Sequence, residues 1–160
     1  MIRLGKLTDY GLVLMSQIAR SKLELHTARD LATQCRLPFP TVSKILKTLL
    51  QKGLLESHRG IKGGYALAQD PQLISVGAII SALEGPLALT ECSVDIAGLC
   101  NLEPWCPIRD NQRLINQVVR GALDKVMLSD LIRPMRLTAI RDNRGNLVTT
   151  IIGIASGGMQ

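Results

Sequence analysis

Three of the four cysteines in this chain lie in one short segment, CSVDIAGLCNLEPWC, at positions 92, 100 and 106. Thiolates are ligands for soft metal centres, and a structural zinc site closes with four ligands, often supplied by closely spaced cysteine pairs. The spacing C-x7-C-x5-C contains no such pair. An iron–sulfur cluster accepts thiolates spread along a loop, because each iron takes its own ligands. The pattern of Cys92, Cys100 and Cys106 therefore favours an iron–sulfur site over a zinc site.

Three thiols leave one coordination position of such a site to another residue. His26 and His58 lie far from the cysteine segment in sequence, and a lone histidine is more often a structural or surface residue than a ligand. Asp9 is a further candidate, because the first helix of one subunit could approach the cysteine loop of another. From the residues alone, Asp9 is better explained as an acidic residue at the positive end of a helix dipole. Cys35 is interpreted as a small buried hydrophobic residue.

The chain that must position these residues is long enough for one hydrophobic core. Its 160 residues are 46% hydrophobic, which excludes general disorder, and only 2% aromatic, which indicates an aliphatic and mostly helical core. No run of about 18 apolar residues occurs, and the first residues lack the apolar stretch of a signal peptide. We therefore expect a cytoplasmic protein with no membrane partner. Disulfides are rare in that compartment, which favours metal binding or redox sensing for the clustered cysteines.

The positive charge is concentrated in the first part of the chain. Residues 1–70 contain eleven Lys and Arg against five Asp and Glu, whereas residues 71–160 contain eight of each. The whole net charge of +6 therefore belongs to the first part. Such a local excess is typical of a nucleic-acid-binding module, although a solvated basic face would explain the charge alone equally well.

The same part carries the start and stop signals of a winged helix-turn-helix. A first helix is predicted in LTDYGLVLMSQIAR with Thr8 as its N-cap, and a second begins at the capping box that Thr27 and Asp30 form in TARDLATQC. A third helix, PFPTVSKILKTLLQKG, ends at Gly53. The following LLESHRGIKGGYALAQD predicts two strands around a glycine-rich loop, the β-hairpin called a wing.

In this fold the second helix of the motif enters the major groove of DNA. Its hydroxyl side chains can bond bases or phosphates, its lysines suit phosphates as point charges, and glycines in the wing permit close backbone approach. The candidate DNA contacts are Thr41, Ser43, Lys44 and Lys47 on the helix, and Arg59, Lys62, Gly63 and Gly64 in the wing. The alternative is that the glycines only make the turn and the lysines are solvated.

The second half of the chain begins with a predicted helix, ISVGAIISALEGP, and continues through the cysteines into a longer one, PIRDNQRLINQVVRGALDKVM. The longer helix has a stripe that is too apolar to face water, formed by Ile108, Ile115, Val119, Ala122 and Val126. Such a stripe can pack on its own domain, but we favour pairing with a second copy of the chain, which gives a homodimer.

Four parts are therefore expected. They are a DNA-binding domain at residues 1–72, a linker helix and cysteine loop at 73–106, a dimerisation helix at 107–132, and a tail at 133–160. The tail contains a turn, DNRGN, between β-prone segments, and either a small hairpin or an irregular extension is expected there. No function is predicted for it.

Several motifs resemble those of a known family. They are the opening KLTDYG, the wing sequence RGIKGGY, the segment IISALEGP, and the CPIRDN stretch that begins at the last cysteine. Over about residues 1–132 the chain is similar to the iron–sulfur winged-helix regulators that include IscR, NsrR and the SUF-operon regulator of proteobacteria. The opening and the CPIRDN stretch look closest to the SUF-operon branch, and the tail after residue 136 falls outside the resemblance.

The resemblance implies a homodimeric repressor or activator that binds a palindromic operator in double-stranded DNA. Its affinity for DNA would depend on a two-iron or four-iron cluster, and iron shortage, oxidation or nitric oxide would change the transcription of cluster-assembly genes. The family's ligands correspond to Cys92, Cys100 and Cys106. One branch has a histidine ligand where this chain has Arg109, and another has an aspartate, donated across the dimer, that matches Asp9. The gap of seven residues after Cys92, longer than the five in some members, leaves the cluster type open.

The sequence thus predicts a mostly α protein: a winged helix-turn-helix with a small β-hairpin wing and a long C-terminal dimerisation helix. The predicted function is transcription regulation controlled by an iron–sulfur cluster. Two other functions stay open, namely a thiol- or zinc-based redox-sensing regulator without a cluster, and an iron–sulfur carrier, which would need no DNA surface. The sequence contains no Ser/His/Asp or Cys/His signature, no phosphate loop and no HExxH, so we do not expect an enzyme.

Overall fold

The computed structural model describes residues 4–21, 25–60, 62–94, 99–133, 136–141 and 147–152, the last two ranges by their backbone only. The described part is mostly helical, with two separate two-stranded antiparallel sheets. In chain order its elements are α1 (Lys6–Arg20), α2 (Ala28–Cys35), α3 (Phe39–Gln51), β1 (Leu55–His58), β2 (Gly64–Leu67), α4 (Val76–Glu84), α5 (Arg109–Asp124), α6 (Leu128–Leu131), β3 (Arg136–Arg141) and β4 (Leu147–Ile152). Short 3₁₀ turns at Glu91–Ser93 and Glu103–Trp105 lie between α4 and α5. The predicted fold class is confirmed.

Helix α1 begins earlier than the sequence indicates. Its N-cap is Gly5, so the prediction of Thr8 as the cap is wrong. Thr8 lies inside the first turn, is fully buried, and donates its hydroxyl to the carboxylate of Glu84 at the end of α4. The same carboxylate accepts the backbone N–H of Gly5. A distant residue therefore takes the place of a local cap and satisfies the first exposed donor of the helix.

The two helices of the motif have the ends that the sequence predicts. Thr27 caps α2 by accepting a hydrogen bond from the backbone N–H of Asp30 at 3.1 Å. Arg36 adopts the left-handed conformation, with φ 54°, and turns the chain into α3. Helix α3 stops just before Gly53, whose φ of 72° suits a residue without a side chain. The helix buries one face against the core through Val42, Ile45, Leu46 and Leu49.

The wing is anchored to the rest of the domain by a third strand-like segment. Strands β1 and β2 pair antiparallel, and the backbone of His26 pairs with Tyr65 on the other edge of β2 through hydrogen bonds of 3.0 and 2.8 Å. Gly64 lies at this junction, where a Cβ atom would fall 2.8 Å from the carbonyl oxygen of His26. The close approach of two backbones therefore requires glycine at this position.

One core joins the two halves of the chain. Helix α4 is capped by Ser75, whose hydroxyl accepts the backbone N–H of Ala78 at 3.0 Å. Ile74, Ile79 and Leu128 are buried in the same cluster as the apolar faces of α1, α2 and α3. The core therefore includes residues on both sides of position 72, and the division into four domains stays a prediction.

Helix α5 is shorter than the sequence predicts. It ends at Asp124, whereas the helical pattern continues to Met127. The backbone leaves the helix because it pairs with the segment ahead of α4: the carbonyl of Val126 accepts the N–H of Val76, and the N–H of Leu128 donates to Ile74, both at 2.8 Å. Helix α6 then packs against α1.

The tail contains a small hairpin, which is one of the two structures expected there from the sequence. Strands β3 and β4 pair antiparallel from Arg136 opposite Ile152 to Arg141 opposite Leu147. The predicted DNRGN turn at residues 142–146 lies outside the described residues. None of the helices in the described ranges has the length and apolar character needed to cross a membrane.

Candidate DNA interface and cysteine loop

The outward face of α3 carries the basic residues predicted to contact DNA. Lys44 and Lys47 are exposed, whereas Thr41 and Ser43 are half-buried. The first turn of α3 contains no acidic residue, so the positive end of its dipole is not offset by its own side chains. This end of the helix is electrostatically suited to a phosphate group.

The tip of the wing presents Arg59 and Lys62 to solvent. Gly60 at the tip has a φ of 117°, and its carbonyl accepts the N–H of Gly63 at 2.9 Å. A Cβ atom at Gly63 would collide with the carbonyl oxygen of His58. Close backbone contacts therefore require glycine at position 63, as they do at position 64. This agrees with the alternative considered from the sequence, in which the glycines shape the turn. Contact of these glycines with DNA stays a prediction.

The three clustered cysteines lie on the connection between α4 and α5. Cys92 belongs to the first 3₁₀ turn and is buried, with its Sγ 3.2 Å from the hydroxyl of Thr90. Cys100 and Cys106 are half-buried and lie on either side of the turn Glu103–Trp105. The connection thus has two arms, one that leads to Cys92 and one that contains the other two cysteines. We call residues 87–106 the cysteine loop.

Two arginines of α5 hold the cysteine loop against the helix. Arg113 donates through Nε to the carbonyl of Cys92 at 2.9 Å and through Nη2 to the carboxylate of Glu103 at 3.0 Å. Arg109 pairs with the same carboxylate oxygen at 2.8 Å. The Glu103 side chain is only 17% exposed. Both ion pairs are therefore partly shielded from solvent, and each contributes more to stability than an exposed surface pair.

Asn116, one turn further along α5, fastens the first arm by its backbone. Its amide Nδ2 donates to the carbonyl of Leu87 at 3.2 Å, and its Oδ1 accepts the N–H of Leu89 at 3.0 Å. Asn116 is buried, and both ends of its amide are paired. Sequence reasoning missed Arg113, Asn116 and Glu103. For Arg113 and Asn116 the only signal was their polar character on a helix with apolar neighbouring positions, and Glu103 in the loop had none.

The start of α1 is connected to the end of the helix that leads into the cysteine loop. Oε1 of Glu84 accepts from Gly5 N and from Thr8 Oγ1, each at 2.6 Å. Asp9 follows Thr8 directly and is exposed in the first turn of α1. This exposed carboxylate borders a surface groove that Cys35 and Leu131 also line.

The thiols fit an iron–sulfur group by their chemistry, but the described residues of one chain do not form a complete site. No group of three or more His, Cys, Asp and Glu among the described residues is placed to hold a metal ion, and all four cysteines are free. Nε of Arg109 is buried and has no hydrogen-bond partner among the described residues, and the backbone N–H of the same residue donates to the carbonyl of Cys106 at 3.4 Å. This buried donor beside the loop suits an anionic, thiolate-bound group.

Cys35 and the two histidines belong to the DNA-binding half. Cys35 packs against the core but is half-buried rather than buried, and this burial raises the pKa of its thiol. His26 is buried beneath the wing, and its Nε2 has no hydrogen-bond partner among the described atoms. His58 lies exposed on β1 and pairs with Glu56 at 3.0 Å.

Comparison with known proteins places this architecture in one family. Residues 4–134 match the Rrf2 family, described as iron-dependent transcriptional regulators. The chain is 29% identical over 132 residues to the transcriptional regulator NsrR of Halalkalibacterium halodurans, an alignment that covers 82% of this chain and 90% of NsrR.

Solved structures have the same fold. CymR (YrzC), the global cysteine regulator of Bacillus subtilis, is similar with a TM-score of 0.65 and 27% identity, over 82% of this chain and 97% of CymR. IscR of T. potens is similar with a TM-score of 0.63 and 24% identity, over 82% of this chain and 86% of IscR, which supports the fold alone. NsrR and CymR are named as transcriptional regulators of the helix-turn-helix type and not as enzymes. The chain belongs to the Rrf2 family of winged-helix transcriptional regulators.

Proposed function

We propose that this chain is a DNA-binding transcriptional regulator whose affinity for its operator is controlled by an iron–sulfur cluster bound by Cys92, Cys100 and Cys106. The observation that carries the proposal is the placement of these thiols on a loop with two structural connections. Helix α5 holds the loop itself, and Glu84 ties the helix ahead of it to the start of α1. Since α1 packs against α3, a rearrangement of the loop can reach the DNA-binding helix.

The exposed apolar face of α5 supports a homodimer. Leu114, Ile115 and Val118 are 60%, 50% and 64% exposed in the single chain. A contiguous apolar patch of this kind is typical of a protein interface, and a symmetric dimer would bring two copies of α3 to one DNA duplex. A palindromic operator in double-stranded DNA follows from that symmetry.

In such a dimer, we propose that Asp9 of one protomer is the fourth ligand of the site in its partner. The exposure of its carboxylate on the first turn of α1 supports this role, as does the absence of a complete ligand set within the described residues of one chain. A bound cluster supplies coordination bonds that join the two arms of the cysteine loop to each other. The ligand residues then fix the position of α1 relative to the partner's loop, and through α1 the distance between the two α3 helices.

Regulation requires that the loaded and empty forms differ in their affinity for DNA. A ligand shifts such an equilibrium only by its differential affinity for the two forms. Iron shortage, oxidation or nitric oxide would act by removing or altering the cluster, and genes for cluster assembly of the suf type are the proposed targets. We propose that eight residues contact DNA: Thr41, Ser43, Lys44, Lys47, Arg59, Lys62, Gly63 and Gly64.

A thiol-based regulator without a cluster is the second candidate. It is favoured by the lack of a metal-holding group among the described residues and by the likeness to CymR, a cysteine regulator. In this case Cys92, Cys100 and Cys106 would respond to the redox state directly. DNA binding would still depend on the cysteine loop.

The deciding experiment is to purify the full chain without oxygen and to measure its iron, sulfide and zinc. Operator fragments are selected from genomic DNA with the loaded protein, and affinity is then measured before and after removal of the metal. Cys92→Ser should abolish iron binding, while Cys35→Ala, a change to a cysteine outside the loop, should retain it.

Absence of iron and sulfide from the wild type would refute the cluster, and zinc in their place would indicate a zinc-based regulator. Equal DNA affinity with and without the cluster would refute cluster control. An Asp9→Ala protein with the wild-type cluster spectrum and stability would show that Asp9 is not a ligand.

A further inference from the structure

We infer that Arg113 is the residue that positions the two arms of the cysteine loop relative to each other. The inference depends on the proposed function only for the identity of the group that the loop binds. The contacts of Arg113 with the loop are formed within the chain itself. Arg113 has hydrogen bonds to both arms, whereas the other polar residues of α5 that touch the loop hold one arm each.

The first arm is held by backbone contacts. Asn116 binds the segment from Leu87 to Leu89, and Arg113 binds the carbonyl of Cys92 at 2.9 Å. Cys92 is 7% exposed, so its carbonyl has little access to water that could replace this donor. Loss of the guanidinium would therefore leave this end of the arm without its fixed contact to α5.

The second arm is held by charge. Glu103 accepts from Arg113 at 3.0 Å and from Arg109 at 2.8 Å on the same carboxylate oxygen. This carboxylate lies in the 3₁₀ turn between Cys100 and Cys106, so its position sets that of both thiols. Two guanidinium groups of α5 therefore hold this one carboxylate.

Arginine is required because the two acceptors lie in different directions. The guanidinium presents Nε and Nη2 at a fixed angle in one plane, so it can reach the Cys92 carbonyl and the Glu103 carboxylate together. The ammonium group of lysine is a single point at the end of a flexible chain. Arg113→Lys therefore keeps the charge but cannot hold both arms in the same geometry.

The experiment uses the full chain with metal removed and thiols reduced. Mass spectrometry follows the alkylation rate of each cysteine by iodoacetamide, and hydrogen exchange follows the amide of Trp105, which donates to Leu102 within the second arm at 3.0 Å. The loss of one charge-assisted hydrogen bond predicts a change on the order of tenfold. Arg113→Lys should speed both reactions, at Cys92 and at Trp105, by about this factor.

Two further variants separate positioning from a general loss of stability. Glu103→Gln should speed exchange at Trp105 but leave alkylation of Cys92 within about twofold of the wild type, because the Cys92 carbonyl keeps its donor. Arg120→Lys is the matched control on the same helix. Arg120 forms an ion pair with Asp124 at 3.9 Å and has no hydrogen bond to the cysteine loop among the described residues, so its replacement should change neither rate.

Cys35 is the internal control for folding. Its thiol packs against the core and lies at the end of α2, outside the cysteine loop. The inference is overturned if Arg113→Lys leaves Cys92 at the wild-type rate. It is also overturned if the variant speeds alkylation of Cys35 as much as that of Cys92.

The iron-loaded protein gives an independent readout. Its visible circular dichroism reports the geometry around the thiolates and should change in Arg113→Lys but not in Arg120→Lys. If the wild-type chain binds no iron, the proposed cluster is refuted. The alkylation and exchange rates of the metal-free chain then still decide the role of Arg113.

Discussion

Replacement of Glu84 by alanine removes the acceptor that holds the start of α1 to the end of α4. Oε1 of Glu84 receives hydrogen bonds of 2.6 Å from both the N–H of Gly5 and the hydroxyl of Thr8. Gly5 is exposed, so its N–H can bond to water after the substitution. Thr8 is fully buried, and its hydroxyl would be left without this partner.

The expected loss of stability follows from this difference. A buried polar group without a partner costs about 1–3 kcal/mol, whereas the N–H of Gly5 contributes little because water replaces the carboxylate. We therefore expect Glu84→Ala to lower the free energy of unfolding by about 2 kcal/mol. For a chain of this length, each kcal/mol lowers Tm by about 2–4 °C, so the predicted decrease is about 4–8 °C.

Urea denaturation, monitored by far-UV circular dichroism, measures the change in the free energy of unfolding. A second variant tests its cause. Thr8→Val replaces the hydroxyl with a methyl group of similar shape, so no buried donor remains to be satisfied. In that background Glu84→Ala should cost about 1 kcal/mol less than in the wild type. Glu56→Ala is the control, because Glu56 pairs with His58 at a site where both side chains are 53% exposed. It should change stability by less than about 0.5 kcal/mol.

Equal costs of Glu84→Ala in the Thr8→Val and wild-type backgrounds would refute the assignment of the loss to the buried hydroxyl. A Glu84→Ala protein as stable as the Glu56→Ala control would refute the proposed connection between α4 and α1 altogether.

The remaining predictions concern DNA binding, the wing and the isolated cysteine. Lys44→Ala should weaken binding to all DNA sequences and reduce the slope of log affinity against log salt by about 1, as a salt titration can show; an unchanged slope would contradict the phosphate contact. Gly64→Ala should lower stability in urea by more than about 1 kcal/mol, because its Cβ would lie 2.8 Å from the rigid carbonyl of His26. Gly121 has open space around it within α5 of the single chain, so Gly121→Ala should instead raise the stability of the monomer by up to about 1 kcal/mol. Since burial raises the pKa of Cys35, the midpoint of its alkylation rate against pH should lie above that of an ordinary thiol. Stability should decrease as the pH rises through the ionisation range of an ordinary thiol, because the unfolded chain ionises first. A pH–rate profile that matches a free thiol would contradict this.

Features fixed by local chemistry were predictable from the sequence. The Thr27 cap, the turn at Gly53 and the pairing of the wing strands each depend on residues within a few positions of one another. Helical periodicity also identified the apolar stripe of α5, although the sequence alone could not show that the single chain leaves much of it exposed.

Features fixed by distant contacts were not predictable. Thr8 has the composition of an N-cap, and only its partner 76 residues away shows that it is a buried donor instead. The end of α5 at Asp124 depends on backbone pairing with the segment ahead of α4, about which the helical pattern says nothing. The roles of Arg113 and Asn116 were hidden for the same reason, since most of their partners are backbone groups that carry no sequence signal: the carbonyls of Cys92 and Leu87, which accept, and the N–H of Leu89, which donates.

The position of Leu128 in the common core has a consequence for the order in which the molecule is made. This side chain is fully buried among residues of α1 and α3, yet it follows the cysteine loop and α5 in the chain. During translation, the hydrophobic core of the DNA-binding part is complete only after Leu128 has left the ribosome. A nascent chain interrupted before that point lacks a core residue worth roughly 2–5 kcal/mol. Every molecule with a complete core has therefore already synthesised its three clustered cysteines.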